Sequence, residues 1–584
     1  MPDTVPPVRR PDALPRPLVL GLLFAGAALL SAITILDGVQ PNDEGLMLQA
    51  ASRIADGEVP YSDFWWYYPP GQPYLLAGLW ELFGPSLVTW RVVRVLTDAA
   101  VAVLAFELAR RRAPGWPALG VWLAAACAMA FPSQPHPFPI ALALALGALI
   151  AVERRPLLAG VLLGACAAWR LEFAAYAGLG IAVAHALSSE PGHARITRFG
   201  RVVAAAVATG AVLYLPVVLS AGAGRSWEML VEYPVLDFGD YQSLPFPLDY
   251  DGPLNTAGPG GFLSDSAENL IHFYLPLALV VGLAGGLLAL ALRFTRADPW
   301  PAATAVFAIG MGHYLLVRAD LFHTAPLAVM VSILAAWALA ARGAWSKASR
   351  MRTLLTTRGK PKSEASEIAT ESTSGDAAGG GAPRDPAAPP PPAAVAPAEP
   401  IPGARRALAL AATAAAALGF AWALAEGLDR RVRGLTDEDT VALDIPVADG
   451  VRARPQRALA LERAARYVRE RVPEGEPIYV TTKRADLVTS GNPLLYLLAE
   501  RRNATRYDIA APGVVTSAPV QREIVADLRR ERPLVVRWTA PITAEPEPNR
   551  AGESSGVRIL DDYLEREYRQ VAKLGYYVML EPAP

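Results

Sequence analysis

Cysteine is nearly missing from this 584-residue chain: there are two, Cys127 and Cys166, both inside apolar runs. A free thiol in such a place behaves as a small hydrophobe, so a disulfide framework and a thiolate metal site are both excluded. No P-loop, dinucleotide fingerprint or HExxH run occurs either, which argues against a nucleotide hydrolase or an ATP-driven pump. Charge of one sign is lacking as well. The formal net charge is -1, the charges are segregated by region, and no nucleic-acid partner is expected.

What the chain has instead is apolar sequence. Hydrophobic residues make up 53% of it and the mean hydropathy is +0.26, too apolar for an ordinary soluble domain and fitting a polytopic membrane protein. The first apolar run, Leu18 to Leu36, follows a basic, proline-rich tail, but it is long for a signal core and no small-residue cleavage pattern precedes Asp37, so it reads as the first span. About eleven spans are expected, near residues 17–36, 88–109, 117–131, 137–152, 157–168, 173–187, 202–220, 272–292, 300–317, 322–341 and 406–425.

Lysine and arginine collect in alternate loops: Arg9, Arg10 and Arg16, then Arg110 to Arg112, Arg154 and Arg155, Arg195 to Arg201, Arg293 and Arg296, and the run from Arg342 to Lys362. By the positive-inside rule these loops and the N terminus are cytoplasmic. The loops at 37–87, 131–137, 169–172, 221–271 and 318–321 then share the opposite side with everything after residue 426. The expected location is a bacterial inner (plasma) membrane, crossed many times.

Four regions follow: a transmembrane domain over 1–341 with its outer loop at 37–87, a linker at 342–404, a last transmembrane helix at 405–426, and an α/β domain at 427–584. The linker is rich in Ser, Gly, Ala and Pro and cannot bury enough apolar surface to fold, so it is expected to be disordered and cytoplasmic. In the tail, 477–482, 533–538 and 575–580 read as strands, and 456–471, 493–501, 519–531 and 557–568 as helices, suggesting a small sheet covered on both faces. The fold class is thus a mainly α-helical polytopic membrane protein with a small C-terminal extracytoplasmic α/β domain.

Candidate chemistry falls in the outer loops. In QPNDEG, Asp43 and Glu44 open a helix whose apolar positions Leu46, Met47, Ala50, Ala51 and Ile54 predict an amphipathic helix on the membrane surface, ended by Gly57. Capping would explain Asp43 alone, and the helix dipole would explain Glu44 alone. An acidic pair beside an available Asn42 cap exceeds that need, and a general base is the competing reading. The run Asp63, Phe64, Trp65, Trp66, Tyr67, Tyr68 before Pro69-Pro70-Gly71 is either an interfacial aromatic belt or the wall of a sugar or headgroup pocket.

Arg170 and Glu172, in WRLEF, interrupt a long apolar run and split it into two short helices meeting at the outer face. They form a structural ion pair, or Arg170 binds phosphate. Arg318, Asp320 and His323, in RADLFH, lie at an outer junction of two spans. A fixed cation with a neighbouring histidine suits phosphate, whereas a snorkelling Arg318 and an Asp320 cap need no ligand.

Taken in this order, an N-terminal span, PNDEG, YSDFWWYYPPGQP and a late RADLFH, the chain resembles the GT-C superfamily of polytopic glycosyltransferases, in particular the bacterial protein-mannosyltransferase-like and aminoarabinose-transferase-like group. The resemblance covers mainly residues 17–341, and YLLAERRNATRY and APGVV in the tail resemble C-terminal regions of bacterial members. It implies a GT-C-like fold and a hexosyl- or pentosyltransferase drawing on a polyprenyl-phosphate sugar held in the lipid bilayer, with a glycan, lipid or protein as acceptor. It also implies Asp43 as the catalytic aspartate, with Glu44 as its acidic neighbour. Arg318, His323 and Arg170 would face the donor phosphate, and Asp63, Trp65, Trp66, Tyr67, Tyr68, Asp320 and Glu172 would line the pocket. A divalent metal such as Mg or Mn on Asp43 or Glu44 could assist. The linker and the tail domain depart from the pattern.

Two other classes compete. A lipid-sugar flippase or transporter should show midplane charges and internal repeats, and a membrane-anchored binding protein would leave the outer-loop acids without a task.

Overall fold

The computed structural model of the protein describes residues 15–130, 136–244, 270–293, 298–320, 322–340, 402–436, 439–540 and 549–584. The expected linker falls almost wholly outside these residues, as does much of the loop at 221–271. The architecture is mainly helical, and each predicted span coincides with a helix. α1 (Arg16–Ala32) is followed by two helices within the first loop, α2 (Asp43–Ala55) and α3 (Gly71–Phe83), and then by α4 (Leu87–Arg110). Next come α5 (Trp116–Met129), α6 (Phe138–Ala151), α7 (Pro156–Ala167), α8 (Leu171–Leu187) and α9 (Gly192–Ala221). After the short α10 (Ala223–Trp227), a π-helix spans Glu228–Asp237 and α11 spans Phe238–Gln242. The bundle continues with α12 (Leu275–Arg293), α13 (Trp300–Val317), α14 (Thr324–Ala340) and α15 (Pro402–Thr436).

Helix position and membrane crossing are separate matters. Among the described residues, three helices are long and apolar enough, by length and composition, to cross a membrane: Gly192–Ala221, Leu270–Ala289 and Trp300–Val317. The others expected to cross are mostly 10–17 residues long, below or at the ~17–25 that a free-standing span needs. α4 is long, but it carries charge. Arg91, Arg94 and Asp98 are all buried, with Ser31 Oγ donating to Asp98 at 2.6 Å and Arg94 donating to the Ser31 carbonyl at 2.8 Å. Sequence reading gave these charges no role. Paired in this way they tie α4 to α1 without an isolated charge in the bundle.

The C-terminal residues form a mixed four-stranded sheet. β3 (Ile478–Thr482), at one edge, runs parallel to β4 (Leu534–Trp538), which pairs antiparallel with β6 (Tyr577–Pro582), and β5 (Tyr568–Leu574) pairs antiparallel with β6 at the other edge. A two-stranded ribbon, β1 (Val441–Ala442) with β2 (Arg452–Ala453), precedes it. β5 is an element that sequence reading left inside a helix-to-strand connection. Every residue of β3 is buried while most of β5 is exposed, so cover on both faces holds at one side of the sheet and fades towards the β5 edge. The helices α16 (Pro455–Arg471), α17 (Leu494–Leu498), α18 (Ala518–Glu531) and α19 (Ile559–Glu567) match the expected segments.

The first loop and this sheet share one core. Val39, Phe64 and Trp66 belong to the same apolar cluster as Ile478, Val536 and Tyr577. α2 is consequently not an amphipathic helix on a membrane surface, because Leu46 and Met47 are buried and so are Gln49 and Arg53 on its polar side. The polar side meets the tail domain instead of water: Arg53 donates to Asp508 at 3.0 Å and to the Thr505 carbonyl at 3.1 Å, and Gln49 donates to Asp508 at 3.3 Å. At Gly45 the approach is closest, since a Cβ there would lie 2.3 Å from the Leu494 nitrogen.

Candidate active site

Four loops that charge sidedness put on one face converge at one end of the bundle. In the first loop Asp43 opens α2 and Tyr67 and Tyr68 precede α3, His136 precedes α6, Arg170 sits at the turn between α7 and α8, and Arg318, Asp320 and His323 join α13 to α14. The splitting of the apolar run at WRLEF is what brings Arg170 here, and the turn is fixed by its neighbours. Gly71 donates to the Ala168 carbonyl at 2.7 Å and Trp169 donates to Gln72 at 2.9 Å. A Cβ at Gly71 would stand 2.5 Å from that carbonyl, so the glycine in PPG serves the close approach of two outer loops.

Asp43 is surrounded by protein yet its surface stays open, the situation of a residue on the floor of a cleft. Burial raises its pKa, Arg318 and His323 pull the other way, and Asp320 adds to the rise. These couplings place Asp43 against the RADLFH groups, far away in sequence. Asp320 holds that trio together. Its carboxylate accepts from Arg318 Nε at 3.0 Å, from the His323 amide at 3.0 Å, and meets His323 Nδ1 at 2.6 Å. Burial works to raise the Asp320 pKa, but the bond and charge of His323, with Arg318, hold it below the ordinary range. The capping role foreseen for Asp320 is therefore real and serves the histidine.

Arg170 closes the far side. It pairs with Glu172 at 2.9 Å, donates to the Tyr314 hydroxyl at 2.9 Å and lies over the rings of Tyr68 and Tyr314 at 5.7 and 5.3 Å. Tyr314 in turn stacks on His323, with centroids 4.5 Å apart. Two residues here escaped the sequence reading. Tyr314 lies four residues before Arg318, inside a span, where nothing marks it as polar lining. His136 lies in the PSQPHPFP loop, and its ring faces Tyr68 at 6.3 Å and Phe322 at 4.6 Å. Burial, then the charges of Arg170 and His323, drive the His136 pKa well down, so the ring is neutral. Its membership of an outer loop was the available signal.

Several expected site residues are placed elsewhere. Glu44 is fully buried and both its oxygens are held by Arg91, at 2.7 and 2.8 Å, so its carboxylate is turned to α4 and not to the cleft. Among the described residues no three His, Cys, Asp or Glu side chains gather as a metal site. Asp63 is exposed and accepts from the Val59 amide at 2.7 Å, a turn contact away from the cleft. Trp65 and Trp66 are buried, 3% and 0% exposed, and so do not form an interfacial belt. They pack inward, Trp65 on Tyr67 at 5.1 Å and Trp66 near Tyr68 at 5.7 Å, backing the two tyrosines that face Asp43.

No family model and no curated protein matches the sequence. Solved structures do match. ArnT from Cupriavidus metallidurans bound to undecaprenyl phosphate aligns at a TM-score of 0.50 and 14% identity, covering 97% of this chain and 98% of that one. The apo state of the same enzyme gives 0.50 and 15% with the same coverage. The archaeal oligosaccharyltransferase AglB from Archaeoglobus fulgidus, in complex with an inhibitory peptide and a dolichol-phosphate, reaches 0.45 at 12% identity over 90% of this chain and 70% of that one, too low to carry an argument. The likeness to ArnT extends over nearly the whole of both chains, and this protein shares the ArnT fold.

Proposed function

We propose that the protein is an integral membrane glycosyltransferase that moves a sugar from a polyprenyl-phosphate donor to an acceptor on the extracytoplasmic side. The observation that carries this reading is the facing of one open, partly desolvated carboxylate, Asp43, against the Arg318–His323 pair, with Arg170 beside them. ArnT, whose fold the chain shares, binds undecaprenyl phosphate, an anionic headgroup on a lipid tail. Two arginines and a histidine at the mouth of a helix bundle suit such a headgroup.

In this mechanism Asp43 accepts the proton of an acceptor hydroxyl as its oxygen attacks the anomeric carbon. The bond from that carbon to the phosphate oxygen breaks, the electron pair leaves with the lipid phosphate, and the configuration inverts. Arg318, His323 and Arg170 offset the charge growing on the phosphate. Tyr67 and Tyr68, whose hydroxyls are kept protonated by burial, line the sugar position as neutral donors. Glu44 is engaged by Arg91, and no step is routed through a metal. The positive-inside pattern supports an outward-facing site and an outward C-terminal domain.

The test is transfer from a radiolabelled polyprenyl-phosphate sugar by purified protein. Wild type should transfer and Asp43→Asn should lose ~10²–10⁴-fold, the worth of a positioned base. Equal, nonzero transfer by both would remove Asp43 from the mechanism.

A further inference from the structure

Next to this cleft lies a cavity of about 430 Å³, within the ~300–1,000 Å³ typical of small-molecule sites. One wall is the π-helix with α11, and the other is the tail-domain segment from Tyr507 to Val520. π-helical turns are rare and often mark functional sites. Four aromatic rings line the cavity, those of Trp65, Tyr233, Tyr241 and Tyr507. Their positions are fixed from behind. Tyr233 donates to the Pro512 carbonyl at 2.9 Å and Tyr507 to Glu523 at 2.8 Å. Tyr241 lies so close to Gly513 that a Cβ there would be 2.7 Å from its ring, and it stacks under Arg550 at 4.6 Å.

The carboxylates of the cavity differ from one another. Glu228 is paired with Arg225 at 2.7 Å. Asp237 and Asp240 have neither a hydrogen bond nor an ion pair among the described residues. Fixed aromatic faces suit the C–H face of a sugar ring, and free carboxylate acceptors suit its hydroxyls.

We infer that this cavity binds a sugar unit of the acceptor, clasped between the π-helix and the tail domain. The reading rests on the transferase proposal for its biological meaning. Trp65 connects the two sites: its ring lines the cavity and packs on Tyr67, which senses the charge of Asp43. An acceptor held here lies one aromatic layer from the base. The tail domain thereby supplies half of the acceptor site.

The experiment uses full-length protein in detergent and the free saccharides maltose, cellobiose and glucosamine, followed by saturation-transfer NMR. Wild type should contact at least one of them, and Asp237→Asn/Asp240→Asn and Tyr241→Ala should each weaken that binding at least ten-fold while melting like wild type. Binding unchanged in both variants, or no saccharide contact with wild type, overturns the inference. Acceptor-independent hydrolysis of the polyprenyl-phosphate sugar separates the two proposals, because the cavity variants should retain it and Asp43→Asn should lose it. If no donor is cleaved by wild type while the cavity variants still lose saccharide binding, the transferase reading fails and the sugar site stands.

Discussion

Asp43 and Glu44 are neighbours with opposite fates, and the difference is which way the first turn of α2 points them. Asp43 opens into the cleft, while Glu44 is clamped by Arg91, which also donates to the carbonyls of Ile35 and Gly38. Glu44→Gln should therefore lower thermal stability, by up to the ~3–5 kcal/mol lost when one partner of a buried pair is removed, whereas Asp43→Asn should leave the melting temperature near wild type and remove transfer. The pH profile gives a second check. A base must be ionised, and burial raises the Asp43 pKa, so activity should fall as pH drops through a midpoint above the ordinary carboxylate value. Arg318→Ala removes a cation that opposes the rise and should move that midpoint up. Asp320→Asn removes a like charge and should move it down. The sequence showed Asp43 as an acid too many for a cap, but an amphipathic pattern cannot tell a helix face turned to lipid from one turned to another domain.

At the scale of elements, α2 is held by its contact with α17. Replacing Gly45 by alanine would favour an isolated helix by ~1 kcal/mol, yet the new Cβ would overlap the Leu494 backbone, and overpacking of this kind costs ~1–3 kcal/mol. The clash should win: Gly45→Ala is expected to lower both the melting temperature and transfer, measured on the same purified sample. Helix and strand periods were legible for most elements, because runs such as 300–317 and 534–538 are apolar in a pattern that fits one structure. α3 was missed because Pro69-Pro70-Gly71 reads as a turn, when in fact Gly71 begins a helix pressed on Ala168. The charges of α4 were missed for a different reason. Arg94 and Asp98 pair at i,i+4 within α4, but Ser31 and Glu44 lie on other helices, and no local pattern reports a distant partner.

The whole molecule is tied together by its two ends. The tail domain is bound to α2 through Arg53, Gln49 and Asp508, and Asn503, which also donates to Asp508 at 2.9 Å, completes the link. Asn503 is 7% exposed, its amide committed to Asp508 and to the Tyr507 carbonyl. Ending the chain after Thr436 would uncover the apolar cluster that the first loop shares with the sheet. The truncated protein is expected to aggregate on size-exclusion chromatography in detergent instead of eluting as a single species. The grouping of four loops on one face was legible from arginine placement alone. The cavity was not, since it is assembled from residues near 65, 230 and 510 that only folding brings together.

The Gly45–Leu494 contact also sets an order of events during synthesis. α2 leaves the ribosome early, while Leu494 and Asp508 emerge only near the end. A nascent chain halted before residue 494 has Asp43 and the Arg91 clamp on Glu44 but not the Leu494 contact, so under the proposed mechanism the base gains its full support only after the tail domain has folded. If the proposed function holds, completion of the chain delays that chemistry until the α2 seat is whole.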